Sequence, residues 1–445
     1  MHRQKFLHKF LKGGVSTLLV RALTVISNLT LSMLIARMLA PDQVGVYFLL
    51  VSIVSVTALF TQIGLNVALV RIIARSVSRD HHSIVRSSIL KSRLLGLLTS
   101  LTTALVLYFG GMELLSHIVF KTEAIYDLRL LIVIWVVLWC LESLNAEIFR
   151  GFQQYRLAVL FKRLAPNIVI VSIIIFIYLN DINIQLNDYL TVVVFGWFVS
   201  IVVSSLLIKN YLLKYNNERG SITIKEILSM SVPLWLTTWI TFTLPQLDLW
   251  ILGIFYLSDT LALYGSAIRL VSFLSIPLLM INAVIPPLIV EAHENNDKEE
   301  LACGMKVLSA LSFFPGLIIC IAFFLYGETI LRVVFGSHYM DANSVLFILT
   351  IGYIFKLFAG SSQQLLMMTG YGRSTMTVSI VSGFILVVGS YLVVEKYGME
   401  GIATVSAITM IIHSMSNLIL ARVKEGIWVI PVFRLSHVKR HFSFR

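Results

Sequence analysis

A few charged side chains stand inside long apolar stretches of the chain. Arg21, Arg269 and Lys356 are cations, and Glu142 and Asp248 are acids. An ionisable group at such a position costs about 2.5–3.5 kcal/mol in a membrane helix and is a functional candidate by default. Guanidinium and ammonium groups bind phosphate oxygens. The surplus of cations therefore predicts a site for an anion, with phosphate or pyrophosphate as the best fit.

Polar residues at helical spacing accompany these cations. Asn28 lies on the helix face of Arg21, and Gln363 lies on the helix face of Lys356. A polar stripe in a helix otherwise suited to lipid faces protein or water. For Arg21 the alternative is snorkelling, since headgroups at the inner helix end are within its reach. The residues predicted to line the site are Arg21, Asn28, Gln62, Asn66, Arg269, Lys356 and Gln363.

The two acids have two interpretations each. Glu142 and Arg163 are each about ten residues from the predicted turn between their helices. They should lie at one depth and form a structural ion pair. Asp248 and Arg269 are likewise each about ten residues from the predicted turn at 258–259. They are expected to pair with each other or to line the site. Alternatively, Asp248 and Glu142 couple transport to an ion.

The apolar stretches that carry these residues recur along the whole chain. Of 445 residues, 58% are apolar and 13% are charged, whereas a soluble domain has about 25% charged residues. Most stretches approach the ~20 residues that cross a bilayer as a helix. We predict an all-α polytopic membrane protein with about 12 transmembrane helices in two six-helix lobes with a central cleft. The predicted spans are 15–36, 45–69, 94–110, 128–149, 157–179, 189–208, 229–257, 260–290, 304–327, 344–368, 375–395 and 401–421.

The basic residues predict the orientation. With the N-terminus in the cytoplasm, 27 of the 35 Lys and Arg residues fall in cytoplasmic segments and 5 fall in external ones. Positive residues stay on the cytoplasmic side, so both termini should be cytoplasmic, in a bacterial inner membrane. This asymmetry also explains the net charge of +12, because anionic lipid attracts such segments. Nucleic acid is not needed as a partner.

The two halves of the chain resemble each other. Asp42 to Tyr47 and Asp259 to Tyr264 share the order Asp, two residues, a small residue, one residue, Tyr, at an offset of 217. Such a repeat predicts duplicated lobes, as in parallel-repeat transporters; chance similarity of short loops is the alternative. The predicted domains are a lobe at 1–208, a linker at 209–226, a lobe at 227–421 and a basic cytoplasmic tail at 422–445.

The sequence contains no recognisable motif for catalysis or cofactor binding. Three cysteines, Cys140, Cys303 and Cys320, have no spacing typical of a metal site or a disulfide framework. We find no phosphate loop, dinucleotide fingerprint or nucleophile motif. The sequence predicts no cofactor, no metal and no enzymatic activity, and an ion gradient of H⁺ or Na⁺ is the expected energy source.

The first two spans resemble the opening of a known family. The resembling residues are Arg21, Asn28-Leu29, Ala36-Arg37-Met38-Leu39-Ala40-Pro41-Asp42-Gln43-Val44-Gly45-Val46-Tyr47, Gly64-Leu65 and Ala68-Leu69-Val70-Arg71. They are similar to Wzx-type flippases of the multidrug/oligosaccharidyl-lipid/polysaccharide exporter superfamily. The turn Arg150 to Tyr155 and the echo from Leu252 to Arg269, followed by Pro286-Pro287, also fit that family.

This resemblance implies a substrate and a mechanism. It implies that undecaprenyl-pyrophosphate-linked oligosaccharide, for O-antigen or a similar polysaccharide, moves from the inner to the outer leaflet by ion-coupled alternating access. Related lipid II flippases place arginines of helices 1, 2 and 8 around the pyrophosphate. Arg21 and Arg269 match two of these, while the second helix offers Gln62 and Asn66, so Lys356 is expected to supply the third charge. The implied partners are membrane lipids, a polysaccharide polymerase and a chain-length regulator.

Two other classes of protein compete with this interpretation. A multidrug or cation antiporter of the same superfamily would need a membrane acid such as Asp248, but the surplus of cations disfavours cationic drugs. A polymerase or ligase would need a sizeable external loop, and the longest one here, 111–127, has no convergent catalytic set.

Overall fold

The computed structural model describes residues 2–78, 83–213, 222–256, 258–294 and 298–432. Within these ranges the regular structure is entirely helical. The α-helices are α1 His2–Met38, α2 Pro41–Thr61, α3 Leu65–Ser78, α4 Ser83–Val106, α5 Glu123–Asp127, α6 Arg129–Gly151, α7 Tyr155–Val159, α8 Ala165–Leu179, α9 Leu186–Leu213, α10 Ile224–Thr243, α11 Leu247–Phe255, α12 Ser258–Val271, α13 Ile276–Glu294, α14 Lys298–Val334, α15 Asn343–Ala359, α16 Ser362–Met368 and α17 Gly372–Glu425.

The helices are long and apolar enough to cross a membrane many times. Among the described residues, ten helical segments meet this standard. One of them, α17, has 54 residues and a non-helical Gly398 (φ 57°, ψ −140°), so it holds both predicted spans on either side of that residue. α10 and α11 occupy the predicted seventh span. The prediction of an all-α polytopic protein with about 12 transmembrane helices is therefore confirmed.

Several helix limits differ from the prediction. The second predicted span, 45–69, is broken, because α2 ends at Thr61 and α3 begins at Leu65. Ile63 and Gly64 between them have positive φ angles of 43° and 72°, which an α-helix does not permit. The third predicted span begins too late at residue 94, since α4 begins at Ser83 and includes Arg93.

The chain divides into two compact units. Unit 1 contains Met1–Gln246 and Leu257–Ala262, and unit 2 contains Leu247–Tyr256 and Leu263–Arg445. The limits of the two lobes given by the sequence stay a prediction.

Helix α6 is the centre of unit 1. It packs against α2, α3, α4 and α9, and its buried residues include Leu144, Ile148 and Phe149. The ring of Phe149 stacks on Phe161 at 5.5 Å between centroids. A buried cluster of apolar side chains from α3, α4, α6 and α9 continues this core. The polar residues of α6 are thus carried into the interior of the unit by a helix that is enclosed by its neighbours.

Helix α17 organises unit 2. It packs against α11, α15 and α16, and α14 packs against α13 and α15. Gly352 of α15 allows a close approach, because an added Cβ there would meet the Cα of Ala407 at 2.9 Å. Ile427 and Val429, beyond the end of α17, are buried against α13 and α16 residues. The close contact of α15 with α17 positions the polar residues described below.

Candidate functional site

Arg21 belongs to a group of cations in unit 1. Its side chain is half-buried on α1, and the like charge of Arg150 acts on it. Arg150 and Lys162 both pair with the carboxylate of Glu147, each at 2.8 Å. Glu147 is only 3% exposed. Two cations therefore share the acid Glu147, and with Arg21 beside Arg150 this group keeps a net positive charge.

Asn28 has a partner that the sequence did not indicate. The amide of Asn167 on α8 donates to the Asn28 Oδ1 at 2.8 Å and to the Ser27 hydroxyl at 3.0 Å. Asn28 thus faces protein and joins α1 to α8.

Gln62 and Asn66 lie on either side of the break between α2 and α3. Gln62 is buried at the end of α2, 3% exposed. Asn66 is half-buried, and its Oδ1 accepts a hydrogen bond from the backbone N–H of Val67 at 2.9 Å. The break is a tight place, because an added Cβ at Gly64 would meet the carbonyl oxygen of Ser231 at 2.2 Å. Both side chains thus belong to a connection between helices.

Glu142 is fully buried on α6 in a cage of polar groups. The hydroxyls of Ser200 and Ser204 on α9 donate to its two carboxylate oxygens at 2.5 Å and 2.6 Å. The amide of Asn145, one turn away, donates to the Ser204 hydroxyl at 2.8 Å and lies 3.5 Å from the carboxylate. Among the residues that the structure describes, the buried Oδ1 of Asn145 has no hydrogen-bond partner. This is a set of oxygen atoms around one acid, which can hold a proton or a small cation.

The predicted pairing of Glu142 with Arg163 is wrong. The guanidinium of Arg163 lies over the indole of Trp139, 4.6 Å from the ring centroid. The charge that acts on Glu142 is Arg93 of α4. Two residues at equal depth on neighbouring helices can point in different directions from their helix axes. Here the Glu142 side chain faces α4 and α9.

Arg93 was not among the predicted site residues, because it precedes the predicted third span. It lies inside α4, half-buried, and donates to the Ser205 hydroxyl at 2.8 Å. Ser205 also accepts from the Asn145 amide at 3.2 Å. The serines around Glu142 did have a signal in the sequence. Ser200 and Ser204 are four residues apart and so share one face of α9.

In unit 2, Asp248 is buried and bonded to a tyrosine. Its carboxylate accepts from the Tyr264 hydroxyl at 3.2 Å and from the Leu249 backbone N–H at 2.8 Å. The Arg269 guanidinium instead donates to the Gly265 carbonyl of its own helix at 3.2 Å. The predicted Asp248–Arg269 pair is therefore wrong. Arg269 donates to a carbonyl of its own helix α12, and the Asp248 carboxylate accepts from Tyr264.

Lys356 lies in a second polar group of unit 2. It is half-buried on α15, with its ammonium 4.7 Å from the centroid of the Tyr353 ring. Its charge acts on His413 of α17, whose Nε2 lies 3.2 Å from the Ser379 hydroxyl. Lys356 thus belongs to a polar group at the contact of α15 with α17.

Gln363 stands on a short neighbouring helix of unit 2. It is half-buried on α16. Ser361, just before α16, donates to the Asn282 side chain of α13 at 2.6 Å. The role of Gln363 at the substrate stays a prediction.

Comparison with known proteins identifies the family. A family model described as polysaccharide biosynthesis protein matches residues 10–293. This is more than half of the chain, and the chain therefore belongs to the polysaccharide biosynthesis protein family. The resemblance to Wzx-type flippases is confirmed at the level of the family.

Individual proteins are similar over most of the chain. The Shigella flexneri protein named "Putative O-antigen transporter" is 22% identical over 386 residues, which cover 86% of this chain and 90% of that protein. "Capsular polysaccharide biosynthesis protein CapF" of Staphylococcus aureus is 22% identical over 249 residues, 56% of this chain and 63% of that protein.

A solved structure shares the fold. It is the inward-facing conformation of a multidrug resistance MATE family transporter of the MOP superfamily, with a TM-score of 0.75 and 17% identity. The likeness covers 93% of this chain and 98% of that transporter. At this identity the likeness establishes the fold, which is that of a multi-pass membrane transporter.

Proposed function

We propose that the chain is a flippase that moves undecaprenyl-pyrophosphate-linked oligosaccharide, an O-antigen or related polysaccharide repeat unit, from the inner to the outer leaflet. The observation that carries this proposal is the match to the polysaccharide biosynthesis family over residues 10–293. The similarity to an O-antigen transporter over 86% of the chain supports it. The relatives are named as transport or biosynthesis proteins, and we assign no enzymatic activity to this chain.

The cations of unit 1 would hold the pyrophosphate. Pyrophosphate carries at least two negative charges, and arginine binds phosphate oxygens in a bidentate manner. Arg21 is half-buried beside Arg150. The carboxylate of Glu147 already forms ion pairs with Arg150 and Lys162. An anion that approaches Arg21 would therefore relieve repulsion between like charges instead of breaking an ion pair.

The other predicted residues would complete the binding and the coupling. In unit 2, Lys356 and Arg269 are the cations proposed for the substrate. Gln62, Asn66 and Gln363 would bind sugar or phosphate oxygens, whereas Asn28 would act by keeping α1 on α8. Glu142 and Asp248, which are buried and bonded by hydroxyl groups, are the residues proposed to bind H⁺ or Na⁺ during alternating access.

The proposed setting is the bacterial inner membrane with both termini in the cytoplasm. The proposed partners are the lipid-linked oligosaccharide, membrane lipids, a polysaccharide polymerase and a chain-length regulator.

The test is surface glycan output after deletion of the gene. The deletion strain is complemented with wild type, Arg21→Ala, Arg269→Ala or Lys356→Ala, and protein levels are measured on blots. Arg86→Ala is the control, because Arg86 is an exposed cation on α4. We expect loss of glycan on deletion, restoration by wild type and by the control, and at least tenfold lower glycan for Arg21→Ala, since a lost phosphate contact costs about 1.5–3 kcal/mol.

Two results would contradict the proposal. Full complementation by all three alanine variants would show that the cations do not bind the substrate. A deletion that leaves glycan unchanged but sensitises cells to toxic cations would support the antiporter alternative, which the MATE family transporter fold also allows.

A further inference from the structure

A groove on the surface of unit 1 lies between α4 and α9. It is an open groove with a volume of about 540 Å³. Its lining includes the polar residues Arg93, Ser205 and Lys209 and the apolar residues Val202, Leu206 and Leu212. The groove is thus amphipathic, with its charge of one sign.

The two cations lie at the same level of the membrane. Arg93 directly precedes the charge-free stretch 94–112, and Lys209 directly follows the charge-free stretch 189–208. These stretches are 19 and 20 residues long, about the length that spans the hydrocarbon core. Since both residues line one groove, Arg93 at the beginning of one span and Lys209 at the end of the other mark the same boundary between hydrocarbon and headgroups.

Arg93 is held in place from the inside of the unit. Its Nη2 donates to the Ser205 hydroxyl at 2.8 Å, and the charge of the buried Glu142 acts on it. A guanidinium has five N–H donors, and one of them is used in a hydrogen bond to the described residues. Arg93 therefore offers further donors at the groove in a fixed orientation.

Lys209 adds a second positive charge to the groove. It is exposed on α9, and it has no ion-pair partner in the part of the chain that the structure describes. Below the two cations, Leu206 is 59% exposed and Val202 is 41% exposed. Such side chains are suited to the hydrocarbon chains of lipids. A ligand for this groove must therefore carry a negative charge at one end and an apolar chain at the other.

We propose that this groove binds an anionic phospholipid, with its phosphate on Arg93 and Lys209 and an acyl chain along Val202 and Leu206. The charge complementarity and the position of both cations at the edge of the hydrocarbon core carry the assignment. Through Ser205 and Asn145 the bound phosphate would be connected to the cage of Glu142. The proposed lipid site does not depend on whether the chain is a flippase.

The test measures lipid-dependent stability of the purified full chain in detergent. The melting midpoint is measured during titration with phosphatidylglycerol, phosphatidylcholine or inorganic phosphate for wild type, Lys209→Gln and Lys225→Gln. Lys225 is the matched control, because it is an exposed lysine on α10 that does not line the groove. Lys209→Gln leaves the Arg93 network in place, so it should fold like wild type.

We expect phosphatidylglycerol to raise the melting midpoint more than phosphatidylcholine does. Lys209→Gln should weaken the apparent affinity for phosphatidylglycerol about fivefold, the equivalent of about 1 kcal/mol for one cation at a membrane surface. Lys225→Gln should leave it unchanged. Equal affinities for wild type and Lys209→Gln, or equal loss in both variants, would overturn the site. Protection by inorganic phosphate at the same phosphate concentration would overturn the assignment to a lipid.

Discussion

The cage of Glu142 makes the sharpest prediction about what holds unit 1 together. Ser200→Ala and Ser204→Ala each remove a hydroxyl that donates to the buried carboxylate, at 2.5 Å and 2.6 Å. A hydrogen bond to a charged group contributes about 1.5–3 kcal/mol. Ser204→Ala should cost more than Ser200→Ala, because the Ser204 hydroxyl also accepts from Asn145 at 2.8 Å.

The expected size can be expressed as a melting temperature. For units of about 150–250 residues, 1 kcal/mol corresponds to a shift of about 2–4 °C. A loss of about 1.5–3 kcal/mol then lowers the midpoint by roughly 3–12 °C. The assay is thermal unfolding of the purified protein in detergent, followed by aggregation or by intrinsic fluorescence. Ser172→Ala is the matched control, because the Ser172 hydroxyl donates only along its own helix, to Ile168 at 2.8 Å; it should shift the midpoint by less than ~2 °C, as surface changes do.

A double-mutant cycle identifies the cause of the loss. If Ser204 acts through the carboxylate, Ser204→Ala should cost much less in a Glu142→Gln background than in wild type, with a coupling of about 0.5–3 kcal/mol. Additive effects of Ser204→Ala and Glu142→Gln would refute this explanation. So would melting midpoints for Ser200→Ala and Ser204→Ala equal to that of the Ser172→Ala control.

Two further predictions concern backbone geometry and the acid of unit 2. Gly64→Ala should destabilise unit 1 by about 2–5 kcal/mol, because a left-handed residue acquires a Cβ that meets the Ser231 carbonyl. Gly304→Ala, where none of the described residues lies within 4 Å of an added Cβ, should be neutral or stabilising, and equal midpoints for the two variants would contradict this. Tyr264→Phe removes the 3.2 Å donor to Asp248 and should cost about 1.5–3 kcal/mol; an unchanged midpoint would show that this contact contributes nothing.

The helical fold was predictable because membrane spans have a simple cause. The hydrocarbon core requires about 20 apolar residues per helix with all backbone groups bonded internally, so the spans are visible in composition alone. The break in the predicted second span was not predicted, because Gly64 in an apolar helix is compatible with either continuation or a turn. The helix breaks there because Gly64 has a positive φ of 72° and because the carbonyl of Ser231, from a distant part of the chain, packs closely against it.

The partners of the charges were less predictable than their positions. Glu142 and Asp248 were identified as acids inside apolar stretches, and the structure shows both to be buried. Both predicted arginine partners were wrong, because depth along a helix says nothing about which neighbour a side chain faces. Glu142 meets Ser200 on α9 and Asp248 meets Tyr264 on α12. Hydroxyl donors of this kind do not stand out in a sequence where serine and tyrosine also occur on lipid-facing surfaces.

The two charged groups of unit 1 differ in how their charges are compensated, and this difference suggests different roles. Around Glu142 one acid faces one cation, Arg93, and its oxygens are bonded by hydroxyl groups. Around Glu147 one acid faces Arg150 and Lys162, with Arg21 beside them. The acid of the first group has its charge offset by Arg93 and by hydroxyl donors, whereas the second group has excess positive charge and gains directly from an added anion. The pyrophosphate is therefore expected at Arg21, and the Glu142 cage is expected to respond to a cation or a proton.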